Sequence, residues 1–201
     1  MRIRSQASAI HMALALSFAL LLAGCTSGRS EIQFTKGNML HAQQVLERYD
    51  ANGNPLPQYL ELWLTKEAGR CTEINEDGLE IAVALDTAKE HLYWDAITMD
   101  GEKSGESRMF LVSFDAMKKL YPKIRTQNDG VYAGRDCRLY RMDTGNEQEW
   151  VKLYVDKATG FVLLCDSETF RLRTRLLEDI PLDEGLFDAP AGLKLKGGDG
   201  K

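Results

Sequence analysis

Few side chains in this sequence are placed for covalent chemistry. The chain of 201 residues holds four cysteines, Cys25, Cys71, Cys137 and Cys165, and three histidines, of which His41 and His91 lie beyond the first apolar run. A nucleophile needs a base beside it, and the one conceivable pair is Cys71 with His91 on neighbouring strands. The plainer reading is a buried thiol near an exposed imidazole. There is no Gly-x-Ser-x-Gly, no cysteine pairing at zinc spacing and no phosphate loop, and the acids are scattered without a scaffolded pair. Asp50, Asn52, Asn54 and Glu61 occupy positions one, three, five and twelve of a calcium-loop pattern. The sixth position, where glycine supplies a positive φ, is Pro55, which cannot. No catalytic residue, metal site or cofactor is expected.

The non-covalent candidates are larger. Arg171, Arg173 and Arg175 alternate with Leu172, Thr174 and Leu176, which puts three cations on one sheet face about 6–7 Å apart. They read either as a solvated face partnered by Glu147 and Glu149 or as a surface for an acidic partner or phosphate headgroup. Trp63, Trp94 and Trp150 read as core or rim aromatics rather than ligand clamps.

The remaining thiol, Cys25, has a different context. Arg2 and Arg4 precede an apolar stretch, Ala7 to Leu22, broken only by Ser8, His11 and Ser17. That suits a signal peptide and is short for a stable bilayer span. Leu22-Ala23-Gly24-Cys25 resembles a lipobox, the processing signal of bacterial lipoproteins. The resemblance implies cleavage after Gly24 and a diacylglyceryl thioether on Cys25, with further acylation suited to stable anchoring. Residues 1–24 are then the signal peptide and 25–36 a polar tether.

The whole chain carries 25 basic and 30 acidic residues, a net charge of −5, and loss of Arg2 and Arg4 makes it more acidic. Without basic blocks it is a poor candidate for nucleic acid or a polybasic membrane patch. Cys71, Cys137 and Cys165 form either one disulfide with a thiol left over or three buried thiols; the sequence leaves this open.

The elements that must position these groups follow from periodicity. Met39, Ala42, Val45, Leu46 and Tyr49 fall at helical spacing, predicting a one-sided helix over 38–50 that ends at Asn52-Gly53 and the prolines. Alternating runs at 59–65, 78–87 and 90–99 predict strands. Ser113 to Pro122 predicts a second short helix with Phe114, Met117, Leu120 and Tyr121 on its apolar side. Residues 130–143, 149–156, 161–169 and 170–178 return to strands, with a hairpin turn at Lys157–Gly160. The expected class is α+β: one domain over 37–195, in which the two helices plug a strongly curved antiparallel sheet, an incomplete barrel. Residues 196–201 are expected to be a disordered tail.

Segments of the second half resemble the LolA/LolB-like superfamily of envelope proteins, whose members include lipoprotein carriers and receptors and GerS-like germination lipoproteins. The resembling stretches are "GVYAGRDCRLYRM", "VKLYVDKATGFVLL" and "IPLDEGLFDAPAGLKL", within residues 130–195. The resemblance implies a half-barrel and a non-enzymatic role on the extracytoplasmic side of a bacterial envelope, on the outer membrane where the cell has one. One expected function is binding an apolar cargo (acyl chain, lipid or lipoprotein) on a concave wall of Leu62, Leu64, Ile81, Val83, Leu85, Val151, Leu153 and Val155. The other is a protein-interaction module that docks and regulates an envelope enzyme such as a cell-wall hydrolase.

Overall fold

The computed structural model of the chain describes residues 32–104, 114, 117, 118, 123–143 and 150–196. They form one twelve-stranded sheet. Its first half comprises β1 (Asn38–Tyr49), β2 (Pro55–Leu64), β3 (Gly69–Ile74), β4 (Glu80–Asp86), β5 (His91–Asp95) and β6 (Asp100–Ser104). The second comprises β7 (Lys123–Tyr132), β8 (Arg135–Asp143), β9 (Trp150–Asp156), β10 (Val162–Asp166), β11 (Phe170–Pro181) and β12 (Lys194–Leu195), with a 3-10 turn at Glu184–Phe187. The spatial order is β12-β6-β5-β4-β3-β2-β1-β11-β10-β9-β8-β7. Two meanders are joined where β11 returns to pair with β1. Only the β12–β6 pair is parallel.

The expected helix over 38–50 does not form. Those residues are β1, a strand in the middle of the sheet, paired to β2 on one side and β11 on the other. The α+β class with a helical plug is therefore overturned in favour of an almost entirely β architecture. The physical reason lies in β1's surroundings. Leu40, Ala42, Gln44 and Leu46 are buried towards one face, while Met39 and Val45 are buried towards the other. A strand covered on both faces loses the period-two signature, and its apolar residues fell on helical spacing by coincidence. The short helix expected over 113–122 lies mostly outside the described residues; Phe114, Met117 and Lys118 have helical backbone.

The run 130–143, read as one strand, folds back on itself. Ala133 and Gly134 have φ of 50° and 77°, the paired positive values of a tight hairpin turn between right-twisted strands. The turn after β9 matches its expectation at Gly160, where φ is 74°. Asp156 secures it, accepting from the Thr159 backbone N–H at 2.9 Å and hydroxyl at 2.6 Å.

One core draws Leu40, Leu62, Cys71 and Ala84 from the first meander and Tyr140, Met142, Val151, Leu153 and Cys165 from the second. A face this wide is closed over by few described residues, chiefly Ile32, Phe34, Phe114 and Met117. The sheet curves towards this inner side, which brings Cys71 and Ala84 of the first meander and Tyr140 and Leu153 of the second into one core. A second, smaller core of Val83, Leu85, Leu92 and Trp94 lies on the opposite, outer side, covered by Phe187 and Leu193 of the C-terminal segment. Gly101 makes that cover possible: a Cβ there would stand 3.0 Å from Leu193 Cδ1, Trp94 Cβ and the Tyr93 carbonyl oxygen.

Candidate functional site on the outer face of the sheet

The inner face leaves little room for a ligand. Leu62, Leu64, Met142, Val151 and Leu153 are 0% exposed, and so is Met117 from the covering segment. Side chains with no exposed surface border no space wide enough for water, so they pack against other protein atoms. Phe114 stacks on Tyr140 with centroids 4.0 Å apart.

The eight residues expected to line one wall divide between two faces. Leu62, Leu64, Val151, Leu153 and Val155 belong to the inner core. Val83 and Leu85 belong to the outer core with Trp94. Ile81, half-buried, sits on their side of β4 by alternation. In β4 the inner face takes the smaller residue, Ala84, and the outer face the larger ones.

On the outer face of the first meander, Arg70 lies between two tryptophans, its guanidinium carbon 5.9 Å from the ring centroids of both Trp63 and Trp94. Its Nη2 stands 3.7 Å from Glu80. His41 extends the row, stacked on Trp63 at 5.5 Å and bonded through Nε2 to Glu61 at 2.8 Å. Trp63 and Trp94 thus serve this packed row. Trp150 opens β9, and its side chain lies outside the described residues.

The outer face of the second meander is different. Cross-strand register runs Tyr154, Leu164, Arg173, Val45, Tyr59, Ile74 in one row, and Arg141, Lys152, Asp166, Arg171, Glu47 in the next. The expected arginine row therefore sits on this face, but its partners are different from those expected. Arg171 Nε lies 2.8 Å from Asp166 Oδ1, and Arg173 pairs with Glu47. The Asp166 carboxylate pushes the Arg171 pKa above its ordinary value. Glu147 and Glu149 lie outside the described residues.

Arg175 has no carboxylate partner among the described residues. It is the extra residue where the β1–β11 register shifts at Gln43/Gln44, and its guanidinium lies over the Tyr59 ring at 5.7 Å. Lys152 likewise meets an aromatic face, Tyr154, at 5.2 Å, and Tyr154 packs on Tyr132 at 5.4 Å.

Beside Arg175 a cleft of about 430 Å³ opens between Val45, Tyr59 and Ile74 and the turn at 75–78. Asn75 stiffens that turn, its Oδ1 accepting from the N–H groups of Asp77 at 3.0 Å and Leu79 at 2.9 Å. The cleft had no signal in the sequence, because Ile74 closes a strand without alternation and the turn is ordinary.

The residues singled out for covalent or metal chemistry do not converge. Cys71 sits opposite Ala84, whereas His91 is held by the buried carboxylate of Asp86 at 3.0 Å. Cys71, Cys137 and Cys165 are free and buried. Burial pushes all three thiols up, and at Cys71 the charges of Glu73 and Asp86 add to it. Asp50 turns on itself, accepting from the N–H groups of Asn52 and Asn54 at 2.8 Å, while Glu61 serves His41. Among the described residues no group of three acidic, histidine or cysteine side chains is placed for a metal. Leu22, Ala23, Gly24 and Cys25 lie outside the described residues.

Comparison with known proteins finds no matching family model and no matching curated protein. The likeness is structural. The fold is similar to that of MucB, solved in complex with MucA(peri), with a TM-score of 0.54 and 16% identity over 91% of this chain. The chain spans 62% of that protein's length. An uncharacterized conserved protein from Thermus thermophilus matches with a TM-score of 0.55 and 12% identity, covering 91% of this chain and 98% of that one. A LolA superfamily protein from Nitrosomonas europaea matches over 85% of this chain and 97% of its own at 8% identity, with a TM-score of 0.41, too low to carry an argument.

Proposed function

We propose that this chain is a non-enzymatic, lipid-anchored protein of the extracytoplasmic side of a bacterial envelope, and that it works as a protein-docking module. The observation that carries this reading is the contrast between a filled inner face and an open outer one. A carrier of acyl chains needs space beside apolar walls, and here Leu62, Leu64, Val151 and Leu153 are wholly enclosed. Apolar burial at roughly 25 cal/mol per Å² is spent on the fold's own side chains. The outer face between β9 and β2 instead offers cations, aromatic rings and a cleft to a partner. The chain of Arg2, Arg4, a short apolar run and Leu22-Ala23-Gly24-Cys25 supports export and anchoring. The MucB structure, a related fold holding a partner chain, supports docking as a use of this architecture. In the interaction-module reading the partner is an envelope protein, such as a cell-wall enzyme.

Two measurements test it. Labelled palmitate is incorporated by the wild-type chain and not by Cys25→Ala; equal incorporation removes the anchor. A photo-reactive side chain placed on the outer face, at exposed Arg175 and half-buried Lys152, in the producing cell yields discrete protein adducts, while the same group at exposed Lys66 or Lys89, away from that face, yields none. Absence of adducts from every outer position overturns the docking role.

A further inference from the structure

The outer face carries more than a general docking surface. Resting on the docking reading above, we propose that the Tyr59–Ile74 cleft and the cations beside it form a binding site for an extended acidic polypeptide segment carrying one large apolar anchor residue.

Three observations converge on that partner. The first is charge. On a chain of net charge −5, the outer face of β9 to β11 carries Lys152, Arg171, Arg173 and Arg175, which meet two carboxylates among the described residues, Asp166 and Glu47. Arg175 and Lys152 are held by aromatic faces rather than by carboxylates among the described residues. An aromatic contact leaves the guanidinium edge and the ammonium protons available, so an incoming carboxylate gains an ion pair without displacing an existing one.

The second is spacing. Arg171 and Arg173 are alternate residues of one strand, about 6–7 Å apart. A polypeptide in extended conformation presents its own alternate side chains at the same interval, so acids at every second position match the row.

The third is the cleft. At about 430 Å³ it has room for one aromatic or large aliphatic side chain, with Val45 and Ile74 as its apolar floor and Tyr59 as its wall. Arg175 stands at the junction of cleft and row, where the acidic run would begin. Leu79, 62% exposed, follows directly on the turn at 75–78, and extends the apolar contact beyond the cleft. Of the acids at the rim, Glu61 is engaged by His41, and Glu76 lies on the side of the cleft away from β11 and its arginines. The segment therefore runs from the cleft along β11, past Arg175 and Arg173 to Arg171, with Lys152 at its far end.

The test uses the purified mature chain and a fluorescein-labelled synthetic peptide, Phe-Ser-Asp-Ser-Glu-Ser-Asp-Ser-Glu, read by anisotropy. Two control peptides replace the acids by lysine or the phenylalanine by alanine. Saturable binding of the acidic peptide, weakening as salt rises, is expected. Arg175→Glu with Lys152→Glu should weaken it at least tenfold, as should Tyr59→Ala; the lysine peptide should not bind, and the alanine peptide should bind at least several-fold more weakly. These substitutions are at partly or fully exposed positions, and Arg175→Gln with Lys152→Gln serves if the double charge reversal melts early. Equal binding of acidic and lysine peptides, or binding indifferent to all the variants, overturns the site. So does flotation with phosphatidylglycerol vesicles that is lost in the same variants, which would assign the cations to lipid headgroups. If the photo-adducts form but the peptide does not bind, this site fails while the docking role stands; absence of adducts removes the docking role itself.

Discussion

The outer face of the sheet is two surfaces. Over β4 and β5 it is a core: Val83 and Leu85 are 1% exposed, Leu92 and Trp94 2%, beneath Phe187 and Leu193. Over β9 to β11 it is charged, with Arg171 41% and Arg173 37% exposed at the side chain, and no described segment crosses it. Among the described residues, the C-terminal segment covers one half of this face and none covers the other. Residue type follows cover: beneath Phe187 and Leu193 the outward side chains form an apolar cluster, whereas on the other half Val45, Leu164 and Ile74 are interleaved with charges. The bare half is built from ion pairs and rings that tolerate water, and it is the half with surface to offer.

The largest break in this comparison is Trp94→Ala. Removing a buried indole beneath the strap is expected to destabilise by about 3–5 kcal/mol, read as a large drop in the denaturant midpoint. A loss under about 1 kcal/mol would mean that the strap is not a core element.

Asp156→Asn should have an intermediate effect. The carboxylate faces Arg135 at 3.0 Å and 3.2 Å and caps the β9–β10 turn. Burial acts to raise its pKa, but the Arg135 and Thr159 bonds outweigh it and hold the group below the usual carboxylate range. Loss of charged hydrogen bonds predicts a cost of about 1.5–3 kcal/mol. The sign follows from the depressed folded value. Stabilisation by Asp156 is complete above the unfolded carboxylate range and is lost as pH falls through the folded pKa. Wild type should therefore lose its advantage over Asp156→Asn between pH 4 and lower values, in parallel acid titrations of stability. A constant difference across that range would contradict the assignment.

The smallest effect sharpens the contrast. Arg171→Ala removes an exposed ion pair with Asp166 and is expected to change stability by less than about 1 kcal/mol. If it costs as much as Trp94→Ala, the bare half is a structural surface and not a free one.

Much of this was legible in the residues. Period-two alternation placed β2, β4, β9 and β11 where they occur, and the arginine row fell on one face as its spacing required. The failures share a cause. β1 was read as a helix because both its faces are buried, and β3 and β6, "GRCTEI" and "DGEKS", carry no apolar alternation at all. The expected wall divided because alternation assigns residues to a common face of one strand but not to a common side of the sheet. That depends on cross-strand register, such as Leu62 opposite Cys71 and Cys71 opposite Ala84. The partners of the arginines were invisible for the same reason: Glu47 reaches Arg173 only through the β1–β11 pairing, across more than a hundred residues of chain.

The central claim is that the inner face is a packed core and the outer face does the work. Leu153→Trp tests it most directly, because Leu153 is 0% exposed among residues from both meanders. Overpacking a filled core costs typically 1–3 kcal/mol or more. The predicted result is a marked fall in melting temperature in the variant, with no saturable binding of a fatty-acid fluorophore by the wild type. Near-normal stability in Leu153→Trp, together with saturable fluorophore binding by the wild type that the variant loses, would contradict it.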